Sequence, residues 1–132
     1  MCGILLILSK KKELNKSLCL KAKKSIFNRG RDFEKYEILN SKRLFVYNSI
    51  LSIQGKIEKK LKLYTSKNKK IKITYNGEIF NYSEILKKFF KNEKFLNDTE
   101  LYANIFQKKG KIKIIKKIEG MYASSFIDEK KK

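Results

Sequence analysis

Seven consecutive small or apolar residues, CGILLIL at positions 2–8, open the chain, and the polar tract Ser9 to Lys12 ends them. A bilayer-spanning helix takes about 20 apolar residues, so this run is too short to cross a membrane. With only a bare Met before it, it also lacks the basic leader and cleavage site of a secretory signal. Its length and continuity suit a strand buried on both faces. Such a strand demands cover from either side, so the rest of the chain has to supply layers for it. At 132 residues, 42% of them hydrophobic, the chain can build one core but no second folded unit beside it.

The remaining elements follow from periodicity and punctuation. Residues 13–27 place Leu14, Leu18, Ala22 and Ile26 on one stripe of a helix, with Lys21 and Lys24 near the end where positive charge suits the dipole. Asn28-Arg29-Gly30 closes it. Residues 36–39 and 43–48 read as a hairpin around Asn40-Ser41-Lys42. Further strands are expected at 61–65 and 71–75, separated by the polar turn SKNKK, and Asn76-Gly77 follows directly. Helices are expected at 83–91, from an Asn97 or Asp98 cap to about Lys108, and in a short basic stretch at 112–118. A last strand covers 121–128, and the lysine-rich tail at 129–132 is expected to fray. Strands, helices and another strand in this order imply a mixed α+β sheet layered with helices.

The formal net charge of +20 invites a nucleic-acid reading, since a basic surface gains from releasing counterions off polyphosphate. However, of the 33 basic residues only Arg29, Arg31 and Arg43 are arginine. Surfaces that read bases or grip phosphate favour the guanidinium fork over the lysine point charge. A solvated lysine-rich exterior is the better reading. Two cysteines, Cys2 and Cys19, form neither a disulfide framework nor a metal-ligand spacing, which fits a reducing cytoplasm.

Two short stretches carry chemistry. Once Met1 is removed, Cys2 becomes a first residue holding a thiol and a free α-amine. A thiol needs a base to become a nucleophile, and an α-amine, titrating at about 7.7–8.0, can act as one near neutral pH. The absence of His removes a Cys-His pair as a competing arrangement. Cys19 falls on the first helix and reads as core. The second stretch is Asn76-Gly77-Glu78, where an Asn amide and a backbone N–H could together donate to an oxyanion. On its own, Asn-Gly is among the commonest tight-turn pairs.

Taken together, MCGI at the terminus, NRGRD at 28–32, NGEIFNY at 76–82, NDTE at 97–100 and EGMYASSFID at 119–128 resemble the class II glutamine amidotransferase domain in order and approximate spacing. The likeness is greatest to the glutaminase half of glutamine-hydrolysing asparagine synthetases and runs through 1–128. It implies the N-terminal nucleophile hydrolase fold, an αββα sandwich, incomplete here on its C-terminal side. It also implies that Cys2 attacks the carboxamide of glutamine to form a thioester and release ammonia, with Asn76 and Gly77 as the oxyanion hole. Glu78 and Asp98 would hold the α-ammonium of glutamine, and Arg29 would join the substrate-binding set from the loop that packs near the terminal amine. The implied partners are glutamine and an ATP-dependent synthetase subunit. ATP and magnesium would serve only a synthetase domain, whose phosphate-binding SGGxDS motif this sequence does not contain.

The sequence departs from the family pattern in three places. Arg31 stands where the family usually has Pro, a change in loop stiffness. In NSILSI, residues 48–53, Ile50 takes the position of the arginine that grips the glutamine carboxylate. A lost charge-assisted hydrogen bond is worth about 1.5–3 kcal/mol, so affinity would fall roughly tenfold to a hundredfold unless another cation substitutes. Lys42 and Arg43 are the cations nearby in sequence. Third, the family's later strands are missing, which leaves an open sheet edge and an uncovered apolar face. The competing reading is accordingly a catalytically silent fragment that binds a partner through that edge.

Overall fold

The computed structural model describes residues 2–51, 63–66, 68 and 71–128. Among these residues there are two antiparallel three-stranded sheets and four helices. The first sheet has the order β1-β3-β2, from β1 (Gly3–Leu8), β2 (Phe33–Leu39) and β3 (Leu44–Ile50). The second has the order β4-β5-β6, from β4 (Tyr64–Thr65), β5 (Ile71–Ile79) and β6 (Gly120–Asp128). The helices are α1 (Lys16–Phe27), α2 (Tyr82–Phe89), α3 (Asp98–Ile105) and α4 (Lys111–Ile115). These elements bear out a mixed α+β architecture. Of the expected strand at 61–65, residues 61 and 62 lie outside the described residues, as do parts of the SKNKK turn and the tail at 129–132.

Side-chain alternation divides the first sheet into two unlike faces. Leu5 and Ile7 of β1, Ile38 of β2, and Phe45 and Tyr47 of β3 meet Cys19, Leu20 and Ile26 of α1 in one apolar cluster. The opposite face turns to the second sheet: Lys72 of β5 pairs with Glu37 at 2.7 Å, and Asn48 accepts a hydrogen bond from the Tyr75 N–H at 3.3 Å. On its other face β5 sends Ile73, Tyr75 and Ile79 into a larger core with Ile85, Leu101, Tyr102 and Ile105. Burying each such side chain contributes about 1.5–3 kcal/mol.

Local chemistry explains where the elements start and stop. The Asn15 side chain accepts from the Leu18 N–H and caps α1, which begins at Lys16, three residues later than the sequence pattern suggests. Asn97 does the same for α3 through the Glu100 N–H, as expected from NDTE. The hairpin turns at Asn40, Ser41 and Lys42, all with positive φ.

Three expectations are corrected. β1 is not buried on both faces: it is an outer strand, and Leu6 and Leu8 are 41% and 64% exposed. The inward stripe of α1 runs through Cys19, 2% exposed, whereas Leu18 points outward at 62%. Asn76-Gly77 is no turn but the interior of β5, where Asn76 pairs with Ala123 and Gly77 with Tyr122. A Cβ on Gly77 would lie 2.5 Å from the Tyr122 Cβ, so the glycine is needed for close strand approach.

Candidate active site

The two sheets meet closely at one end of β1. Cys2, just ahead of that strand, donates its backbone N–H to Asn76 Oδ1 at 2.9 Å. That bond turns the carbonyl end of the Asn76 amide toward Cys2 and leaves its NH2 end as a donor facing elsewhere. Arg29, in the turn after α1, donates from Nε to the Cys2 carbonyl at 3.3 Å. Cys2 is therefore held on both sides of its Cα, with its partly exposed thiol 3.9 Å from the Leu51 carbonyl. Cys19, the other free cysteine, is buried against Phe45 and Tyr47, as expected for core.

The frame behind Cys2 is polar and buried. Asn48, 2% exposed, donates to the Gly3 carbonyl at 2.9 Å and accepts from the Tyr75 N–H, joining β1, β3 and β5 beside the site. Ser49 accepts from the Gly3 N–H at 3.1 Å and donates to the Ile26 carbonyl. Gly30 is buried, and a Cβ there would lie 2.5 Å from the Ile50 N, so the Asn28-Arg29-Gly30 turn can press onto β3 only without a side chain.

Strand geometry fixes the direction of the Gly77 N–H. N–H groups alternate along a strand, and Tyr75 N–H points to Asn48 rather than to β6. The Gly77 N–H therefore points to the same edge as those of Tyr75 and Ile79. The described part of β4 pairs only with Ile73 and Lys72, short of that stretch. An amide donor from Asn76 and a backbone donor from Gly77 thus lie in adjacent residues beside Cys2.

Two carboxylates complete the cluster. Glu78 is exposed near the end of β5, and Asp98 is the first residue of α3. Burial pushes the Asp98 carboxyl above its ordinary range, and the Glu78 charge adds to this; the Thr99 and Ile79 N–H groups and the Tyr75 hydroxyl oppose it. The Tyr75 hydroxyl reaches Asp98 Oδ2 at 3.4 Å, and burial raises its pKa far enough to keep it protonated as a donor. Tyr64 of β4 stands close by: burial raises its pKa, a hydrogen bond to Asn97 lowers it, and the charges of Cys2 and Asp98 are felt there. Sequence reasoning missed Asn48, Tyr64 and Tyr75. Only Tyr75 carried a signal, through its place directly before Asn76.

Lys42 and Arg43 do not reach this cluster. They sit at the turn of the β2–β3 hairpin, whose opposite end pairs Phe33 with Ile50, and Lys42 bonds to Glu13. Six strand residues, or about 20 Å, separate the two ends. Among the described residues, no group of three or more His, Cys, Asp or Glu could hold a metal ion, and no helix is long and apolar enough to cross a membrane.

Cys2 lies beside Asn76, with Glu78 on the same strand and Asp98 bonded to Tyr75; the whole chain matches a known family. Residues 1–132 fit the family model of the glutamine amidotransferase domain, and the chain belongs to that family. Among curated proteins it is similar to a putative glutamine-hydrolysing asparagine synthetase 2 of Methanocaldococcus jannaschii, at 32% identity over 147 residues. That match covers 99% of this chain and 28% of the relative, so the chain spans little more than a quarter of the relative's length.

Proposed function

We propose that this domain hydrolyses the side-chain amide of glutamine to glutamate and ammonia, with Cys2 as nucleophile, on the αββα sandwich of the N-terminal nucleophile hydrolases. The observation that carries the reading is the Cys2 N–H to Asn76 Oδ1 hydrogen bond, which joins the nucleophile candidate to the donor pair. Removal of Met1 would turn that nitrogen into an α-amine. The amine accepts the thiol proton as Sγ attacks the amide carbon. The Asn76 Nδ2 and Gly77 N–H stabilise the resulting oxyanion, a contribution of about 2.7–4 kcal/mol for one donor in comparable sites. The proton passes to the leaving nitrogen, ammonia departs, and a γ-glutamyl thioester remains for water to cleave.

Glu78 and Asp98 hold the substrate α-ammonium, and Arg29 keeps Cys2 in place through its carbonyl. Every step uses this chain's groups, glutamine and water. In the same reading the ammonia supplies asparagine formation in a cytoplasmic, ATP- and magnesium-dependent synthetase partner. This supply of ammonia to a synthetase follows from the relative's name and from no residue of this chain.

The test is direct. Protein whose Met1 has been removed, confirmed by intact mass, should release glutamate and ammonia in equal amounts from glutamine, and Cys2→Ala should release none above background. Equal release by the two proteins, or a Met1 that stays attached in active protein, would overturn the assignment.

A further inference from the structure

Attack on an amide needs a nucleophile and oxyanion donors at a fixed separation, and here the two come from different sheets. Cys2 leads into β1, whereas the Asn76 and Gly77 donors belong to β5. The ladders run within each sheet, β1 to β3 and β5 to β6, so main-chain pairing does not set the distance between β1 and β5. A misplacement of about 1 Å can cost on the order of a hundredfold in rate. Side chains have to hold that distance.

The Asn48 side chain spans the gap. It follows Phe45, Val46 and Tyr47 on β3, all three fully buried and mostly apolar. An amide in such a place is costly unless it is bonded, and this one is bonded at both ends. Nδ2 donates to the Gly3 carbonyl at 2.9 Å and to the Ser49 carbonyl at 3.1 Å, and Oδ1 accepts the Tyr75 N–H at 3.3 Å. Gly3 directly follows Cys2, and Tyr75 directly precedes Asn76. The Cys2 N–H on Asn76 Oδ1 at 2.9 Å then closes a ring through Cys2, Gly3, Asn48, Tyr75 and Asn76. A ring fixes a distance that a single bond would leave free to swing. Ser49 accepts from the Gly3 N–H, so both polar groups of Gly3 are held by side chains of β3.

Resting on the glutaminase reading above, we infer that Asn48 is a positioning residue for the hydrolysis, setting Cys2 against the Asn76-Gly77 donor pair by gripping the residue next to each. Closed off from substrate by its burial, it acts through its neighbours. Without it β1 can shift relative to β5, and the oxyanion then forms out of line with its donors. The substrate ammonium goes to Glu78 and Asp98, which stay with β5 and α3, so binding survives the shift. The signature is a lower kcat at an unaltered KM.

Asn48→Ala breaks the ring and also removes stability, so Val46→Ala, a cavity two residues away on the same strand, is its control. Asn48→Ser, whose hydroxyl can satisfy one partner but not span both, is a gentler second variant. Alkylation of the buried Cys19 by iodoacetamide, read by peptide mass, reports any opening of the fold. In protein freed of Met1, Asn48→Ala should lower kcat by roughly a hundredfold with KM little altered and Cys19 still protected. Asn48→Ser should show the same split, and Val46→Ala should melt lower yet keep its kcat. By NMR, the Asn76 side-chain amide and Cys2 Cα resonances should move in both Asn48 variants and hold in Val46→Ala. An unchanged kcat in the Asn48 variants, an equal fall in Val46→Ala, or resonances that stay in place would each overturn the role of Asn48. A parent that turns over no glutamine, with those resonances still moving in the Asn48 variants alone, would instead sink the hydrolase reading and leave Asn48 as the link between the two strands.

Discussion

At the scale of single residues, the site balances stability against charge. A carboxyl whose pKa rises on folding favours the native state while it is protonated. That contribution is lost as pH climbs from the ordinary value of 3.8 through the raised one. As pH rises above 3.8, Asp98 therefore favours the native state progressively less. Asp98→Asn should melt higher than the parent at pH 7, and the gap should narrow as pH falls toward 3.8. The same substitution removes a charge proposed for the substrate ammonium, so KM for glutamine should rise as the melting point does. Asn48 carries the opposite balance. Asn48→Ala would strip partners from the buried Gly3 carbonyl and Tyr75 N–H, and leaving such groups unsatisfied costs about 1–3 kcal/mol each. A urea unfolding free energy lowered by at least about 1 kcal/mol, read as a lower midpoint, is expected, and an unchanged midpoint would mean that Asn48 does not join the sheets in solution.

At the scale of elements, two glycines let backbone meet backbone, and they make the sharpest structural test. Gly77→Ala would drive a Cβ into β6 and Gly30→Ala would drive one into β3, with contacts at 2.5 Å to Tyr122 Cβ and Ile50 N. Neither neighbour can rotate away, so each should cost about 1–3 kcal/mol, read as a melting point several degrees lower. These positions also show what the sequence could reveal. NGEIFNY marks the site, yet Asn-Gly taken locally says turn, and only the pairing of β5 with β6 overrides that preference. Helices α2 and α3 were legible because Ile85 and Leu101 fall on regular apolar faces, and Asn97 announces its cap. The face of α1 was not, because Leu18 and Cys19 are adjacent and the smaller residue fits against Phe45 and Tyr47. Nor was the burial of Lys35, which is 7% exposed. In FEKYEIL both faces of the strand mix charge with apolar residues, so alternation cannot tell which lysine or glutamate is buried.

At the scale of the whole molecule, the charge balance governs behaviour more than any single pair. The 33 basic residues face 13 acidic ones, and pairs such as Lys72–Glu37 and Lys108–Glu93 neutralise only a few of them. Among the described residues, most lysines are exposed on helices and turns, where like charges repel one another in the compact state more than in an extended chain. Screening falls from about 30 Å at 0.01 M salt to about 8 Å at 0.15 M. Added salt should therefore relieve this repulsion while acting less on the part-buried Lys72–Glu37 pair, whose side chains are 16% and 10% exposed. The melting point should rise by several degrees between 10 and 150 mM sodium chloride and level off above that, with the unfolding m-value unchanged. A melting point that falls with salt would show that attractive surface pairs, rather than net repulsion, dominate the electrostatics of this domain.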